Sequence, residues 1–307
     1  MTDKLGAKIL VWYGDLTTRG SLTKRGLTFL SPGMLWLLFF LVLPGVVLVL
    51  VSFATRGAYG QVEWDLTVGN YKRLIGFSVL GDWTADYLRI LWRSVVVAFV
   101  TTLLCVIMSY PLCFYIAGRP ERSRYFWLTL VIIPFWTNLV IRTYAWFLIL
   151  APEWPFAKLA AVFGLIPAGS PLYPNAFAVY LGMISDFLPF VALPLYASVE
   201  RLDWSLVEAA QDLYASRVRV FTQAILPQTL PGLSVGVILT FVPAMGMFLV
   251  PDLLGGAKYM LVGNLIQQQF GASRDWPFGA AISMGLMVLT MISLQIYRRR
   301  GKEVELV

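Results

Sequence analysis

Six stretches of the sequence, near 29–54, 90–117, 125–150, 174–199, 231–254 and 277–297, are each predominantly apolar for twenty residues or more. That is long enough to cross the roughly 30 Å hydrocarbon core of a bilayer. An ordinary soluble domain has about a quarter of its residues charged; here 58% of the 307 residues are hydrophobic, 13% are charged and the mean hydropathy is +0.73. Inside lipid a backbone must satisfy its own hydrogen bonds, so spans of this length are helices. The expected fold class is all-α, a polytopic membrane protein with six transmembrane helices.

The distribution of basic residues gives an orientation. With both termini on the cytoplasmic side, 15 of the 24 Lys and Arg residues fall inside, and the opposite orientation leaves nine there. The excess of positive charge in inner loops favours the first arrangement. The domain reading is a cytoplasmic N-terminal segment 1–28, a membrane domain 29–297 with a long cytoplasmic loop at 200–230, and a cytoplasmic tail 298–307. Leu5, Ile9 and Trp12 share one face of a possible interfacial helix in the first segment. Pro111, Pro134, Pro189, Pro194 and Pro243 lie inside spans. The carbonyls they free need neighbouring helices or a wet cavity, which argues for a bundle with an internal path.

Several chemistries are excluded. The chain has no His, and Cys105 and Cys113 stand eight positions apart in one span, about 12 Å along a helix and too far for a local disulfide. Zinc constellations and Ser-His or Cys-His nucleophile pairs are therefore missing, and no metal site or catalytic residue is expected. "GGAK" at 255–258 lacks the upstream glycine and the hydroxyl of a phosphate-binding loop. The net charge of +7 is explained by basic residues flanking spans rather than by nucleic acid.

One polar stretch stands apart, "EAAQDLYAS" at 208–216 followed by "RVRVFTQAILPQTLPG" to 232. Ser205 with Glu208 three residues on has the spacing of a capping box, and Asp203 is an alternative cap. A second short helix is expected from Ala215 to about Ile225, stopped by Pro227 and Pro231. An isolated Glu-Ala-Ala would signify only a helix start, but the spacing to "ILP" and the position between the fourth and fifth spans resemble the EAA loop of the permease subunits of bacterial ABC importers. The resemblance implies a type I importer bundle in the bacterial inner membrane, and a coupling helix that docks on a partner ATPase. Glu208, Ala209, Ala210, Asp212, Tyr214, Ala215 and Pro227 would carry that docking. Tyr214 departs from the pattern, which usually has Gly there. A residue with positive φ pays about 1–2 kcal/mol unless it is Gly, so either the bend uses ordinary helical angles or the ring fills part of the docking cleft.

The similarity extends from about residue 30 to 297. "IIPFWTNLVIRTYAWFLIL", "LPFVALPLYASVERLD" and "PDLLGGAKYMLVGNLIQQQF" with "RDWPFGAA" are similar to the first permease of spermidine/putrescine importers. That family implies a second permease, a homodimer of ATP-binding subunits and an extracytoplasmic binding protein, with ATP and Mg held by the ATPase and no cofactor in this chain. A polycation crossing the membrane needs carboxylates or aromatic faces in place of water. Asp186, Trp136, Asn138, Tyr144 and Asp252 are the candidates for its path. Asp186 has two readings: a structural ion pair with Arg142, about 5 Å away along the membrane normal by residue count, or a substrate contact. Import of another solute, such as ferric iron, another amine or a small anion, is the alternative within the class, and a passive channel the alternative outside it. An anion path would require Arg142 and Arg93 to be free of acids. Glu63, Asp65, Asp82 and Asp86 make the first outer loop acidic, and Arg274 with Asp275 is expected to form the turn into the last span.

Overall fold

A computed structural model of the chain describes residues 22–77, 83–167, 169–256 and 259–304, with side chains from 29 to 295 within those limits. The expected interfacial helix with Leu5, Ile9 and Trp12, and Asp82 of the outer loop, lie outside the described residues. The first span is α1 (Leu22–Leu37) and α2 (Leu43–Ser52) joined by a π-turn over Leu38–Val42. A two-stranded antiparallel hairpin follows, β1 (Thr55–Arg56) and β2 (Val62–Glu63), pairing Thr55 with Glu63 and Arg56 with Val62. Then come α3 (Gly69–Ile75), α4 (Asp86–Ala117), α5 (Glu121–Trp136), α6 (Leu139–Ile149), α7 (Pro155–Val162), α8 (Ala176–Val199) and α9 (Trp204–Asp212). The chain closes with α10 (Arg217–Gly246), a π-turn at Pro251–Gly255, α11 (Val262–Phe270) and α12 (Trp276–Val304).

Five helices are long and apolar enough to cross a membrane, and the α5–α6 pair supplies the sixth only as a bent element. The expected single span over 125–150 is therefore corrected: α5 and α6 meet at 96°. Pro134 disturbs the end of α5, and Asn138 starts a new helix by accepting the Val140 N–H on its side-chain oxygen at 2.8 Å.

The expected helix stop at Pro227 and Pro231 is also corrected. A π-turn over Val220–Ile225 carries the chain from Arg217 straight into the fifth span. There the Leu226 N–H donates five residues back to Phe221, so Pro227, which has no N–H, enters where the hydrogen-bond register is already shifted. The first span repeats the device, with the Leu43 N–H bonding to Leu38 one residue before Pro44. The fifth span ends at Gly246 rather than near 254, and α12 continues as helix to Val304, so the expected tail from 298 begins inside that helix.

The core sits where α4, α8 and α10 pack together. Val97, Ala98 and Cys105 of α4 meet Val179, Met183, Phe187 and Val191 of α8 and Ala244 and Met245 of α10, all buried. Lipid offers no hydrophobic gain for helix association, so close approach depends on small residues. Gly232 and Gly236 supply it on α10. A Cβ at Gly232 would run into the Pro194 carbonyl and the Ser198 hydroxyl, and one at Gly236 would lie 3.0 Å from the Val191 Cα. Among the described residues the first span adds no buried side chain to this core. None of its most apolar window is buried against the chain, and among the described long helices α2 packs chiefly on α12.

Candidate functional site

The polar loop forms a built knob at one end of the bundle. Asp203 caps α9: its Oδ1 accepts the Ser205 N–H at 2.9 Å and the Ser205 hydroxyl at 2.7 Å, so the Ser205–Glu208 capping box is not the one used. The Asp203 N–H in turn donates to Gln228 Oε1 at 2.9 Å, which ties the start of α9 to α10. Val207 anchors the inner face against Leu202, Val220 and Ala224, with Ala210 and Ala215 half-buried beside it. Glu208, Ala209, Asp212 and Pro227 are exposed. The Glu-Ala-Ala triplet thus splits by helical periodicity into two outward residues and one inward.

The end of α9 explains the residue at 214. The Ala215 N–H donates to the Ala210 carbonyl at 3.1 Å and the Tyr214 N–H to the Gln211 carbonyl at 2.8 Å. This is the pair of bonds of a Schellman motif, which needs a left-handed residue at its hinge. Tyr214 takes that role with φ of 55°, and the residue is 97% exposed. The bend therefore does not use ordinary helical angles. Ser216 then starts α10 by accepting the Arg219 N–H at 3.4 Å.

A second polar cluster lies at the α5–α6 break. Arg142 Nε donates to Asp186 Oδ1 at 2.5 Å, and another guanidinium nitrogen donates to the Pro134 carbonyl. The Arg142 side chain is 12% exposed and that of Asp186 3%. Thr137 adds its hydroxyl to the same Pro134 carbonyl at 2.6 Å. Arg142 thereby satisfies the carbonyl freed by the break and neutralises a buried carboxylate at once. Asp186 Oδ2 is buried and, among the described residues, has no hydrogen-bond partner.

The other candidate positions are more open. Trp136 ends α5 at 77% exposure, Asn138 is held as the cap of α6, and Tyr144 is half exposed with its ring 6.5 Å from that of Phe147. Asp252 is exposed in the Pro251–Gly255 turn, and among the described residues its carboxylate makes no hydrogen bond or ion pair. No group of three or more Cys, Asp or Glu side chains arranged to hold a metal occurs among the described residues.

Two clusters were not anticipated from sequence. Arg73 of α3 bonds Asp275 at 2.7 Å and lies 3.9 Å from the centroid of the Phe278 ring, while Asp275 Oδ1 accepts the Phe278 N–H at 3.2 Å at the start of α12. Burial pulls the Arg73 pKa down, but the hydrogen bond to Asp275 and the nearby Tyr87 more than reverse this, so the guanidinium stays charged. Arg124 bonds Glu200 at 2.8 Å and the Ala117 carbonyl at 3.1 Å, and Tyr196 donates to the same Glu200 oxygen at 3.0 Å. The only sequence signal for either was an Asp three residues before Phe278, a helix-start spacing.

Comparisons with known proteins converge. Residues 109–300 match the family described as binding-protein-dependent transport system inner membrane component. The chain is 39% identical over 267 residues to the spermidine/putrescine transport system permease protein PotB of Haemophilus influenzae, covering 87% of this chain and 91% of that protein. The PotB of Escherichia coli is 38% identical over 87% and 94% of the two chains. Another Escherichia coli protein, the inner membrane ABC transporter permease YdcU, is 30% identical over 78% of each. Among solved structures, a chain of a bacterial alginate ABC transporter superposes with a TM-score of 0.64 at 16% identity, over 90% of this chain and 93% of that one. That likeness establishes a shared fold.

Proposed function

Since this chain belongs to the family of binding-protein-dependent transport system inner membrane components, we propose that it is one of two permeases of an importer for linear polyamines, spermidine and putrescine foremost. It is an integral protein of the inner membrane and supplies no catalytic chemistry itself. The reading rests on 39% identity to a spermidine/putrescine permease along 87% of this chain and 91% of that relative. In it, a second permease completes the path, a pair of ATP-binding subunits holds ATP and Mg, and an external binding protein delivers the substrate.

The exposed face of α9, with Glu208, Ala209 and Asp212, seats on the ATPase, and Tyr214 and Ala215 shape its far end. Motion imposed on α9 passes to α10 through the Asp203–Gln228 bond and the packing of Val207 on Val220 and Ala224. At the α5–α6 break the unpartnered Asp186 Oδ2 offers a lone pair to a substrate ammonium, with Trp136 and Tyr144 as aromatic faces, contacts worth about 0.5–2 kcal/mol each. Asp252 adds a carboxylate near one end of α10, and Asn138 an amide at the break. Import of a small anion is disfavoured because Arg142, one of the two cations such a path would use, is engaged by Asp186.

The test is genetic and functional together. Cells that need external polyamine and lack their own uptake system receive the full set of importer genes, with this permease wild type or Glu208→Lys. Growth on micromolar-scale polyamine with the wild type, and none with Glu208→Lys although that protein is inserted and its complex still hydrolyses ATP, is the expected outcome. Absence of growth with the wild-type set overturns the substrate, and full growth with Glu208→Lys overturns the role of α9.

A further inference from the structure

Beneath α9 the bundle opens into a cleft of about 780 Å³, lined by Tyr110, Pro111 and Phe114 of α4, Trp204 of α9, and Arg217 and Phe221 of α10 among others. Its volume falls in the roughly 300–1,000 Å³ range of small-ligand sites, and nothing in the transport reading uses it. We propose that it holds one anionic membrane lipid, with an acyl chain against the aromatic wall and the phosphate at Arg217.

The interior of the cleft is mainly apolar, with Gln211 of α9 and the Tyr110 hydroxyl as the uncharged polar groups in its lining. Tyr110 and Pro111 lie six or seven residues before Ala117, where α4 ends, so its floor reaches about 10 Å along the span. The one hydroxyl near the floor, that of Tyr110, is already engaged with Thr229 at 3.0 Å. A soluble, fully polar ligand would find no partner at that depth, whereas a hydrocarbon chain would. The mouth has the opposite character. Arg217 is exposed, and among the described residues no acid pairs with it. It stands in the first turn of a 30-residue helix, where the macrodipole is positive and a cation is unfavourable. Charge and dipole at the mouth therefore both call for an anion, at the level where the ends of the spans put lipid headgroups. An apolar cleft with an unpaired cation at its rim is complementary to an anionic amphiphile. A carboxylate from a docked protein would answer Arg217 but leave the apolar depth empty.

The consequence for transport rests on α9 being the docking helix: a chain seated against the Phe114–Trp204 ring pair and Phe221 couples α9 more firmly to α4 and α10. Lipid retention itself does not depend on that reading. The experiment uses the complete complex in nanodiscs of phosphatidylcholine alone or with phosphatidylglycerol. Phosphatidylglycerol molecules retained on release are counted by native mass spectrometry, and binding-protein-stimulated ATP hydrolysis is measured in parallel.

The wild type is expected to retain phosphatidylglycerol and to turn over faster when it is present. Arg217→Gln is expected to retain it about fivefold less, the value of one cationic contact at an anionic surface, and to lose the acceleration while matching the wild type in phosphatidylcholine. Arg217→Lys is expected to keep both properties, as is Arg219→Gln, whose side chain does not line the cleft. Equal lipid retention by wild type and Arg217→Gln overturns the site. Equal loss in Arg219→Gln would mean diffuse surface charge, and a fall of Arg217→Gln activity in phosphatidylcholine would mean a protein contact; either overturns it too. A complex that fails to import polyamine leaves the lipid count unaffected, so the two readings fail separately.

Discussion

Replacing Tyr214 by Gly isolates the strain at the end of α9. Tyr214 holds φ of 55° and is 97% exposed as a residue, so the substitution loses almost no burial within this chain. Removing the Cβ clash of a left-handed residue returns about 1–2 kcal/mol, and the extra freedom of Gly in the unfolded chain takes back about 0.5–1 kcal/mol. The net is a stabilisation of roughly 0.5–1 kcal/mol, which slows local opening about two- to fivefold. The place to read it is the Ala215 amide, whose bond to the Ala210 carbonyl closes the motif. Hydrogen exchange followed by mass spectrometry over a peptide spanning 208–216 is the assay, with Tyr214→Ala as the second variant. Alanine removes the ring but keeps the Cβ, so its exchange is expected to match the wild type. Exchange in Tyr214→Gly as fast as in the wild type, or equal slowing in Tyr214→Ala, refutes φ strain as the reason the position tolerates Tyr only at a cost.

Three further perturbations probe the bundle. Asp186→Asn or Arg142→Gln alone leaves an uncompensated charge in a buried place and is expected to cost about 3–5 kcal/mol, whereas the double variant recovers part of that loss in thermal unfolding of the purified protein; a double variant as unstable as the sum of the singles contradicts the pair. Gly232→Ala drives a Cβ into the Pro194 carbonyl and is expected to destabilise by about 1–3 kcal/mol, while Gly33→Ala, with nothing within 4 Å, is neutral or slightly stabilising by the same assay. Asp275→Ala removes both the cap of α12 and the partner of Arg73, and its midpoint is expected to fall by more than that of Arg73→Ala, which leaves the cap in place, the cap alone being worth about 1 kcal/mol.

Long-range order was legible where it depended on apolar length, and less so where it depended on backbone detail. Five of the six spans follow from hydropathy alone, with the end of the fifth placed several residues too far along, and α9 follows from a polar, Ala-rich run between two of them. The break at Pro134 did not, because proline inside a span can bend a helix, kink it or pass unnoticed, and the choice was made by Asn138 capping a new helix and Arg142 claiming the freed carbonyl. Pro227 misled in the opposite sense, since a π-turn beforehand removed the hydrogen bond it would have broken. The Arg142–Asp186 pair could be guessed from depth in the membrane, but the unpartnered second oxygen could not. Arg73 and Asp275 are 202 residues apart, and nothing local in either segment announces the other. At Tyr214 the departure from the EAA-loop pattern marked the position without revealing which backbone angle it would take.

Polyamine import is settled by uptake. Proteoliposomes holding the complete complex, loaded with Mg-ATP and given labelled spermidine or putrescine with the binding protein present or omitted, are expected to accumulate label only when both ATP and binding protein are supplied. Binding-protein-stimulated ATP hydrolysis with no accumulation of either amine would keep the importer and discard its proposed substrate, and accumulation without ATP would contradict the importer itself.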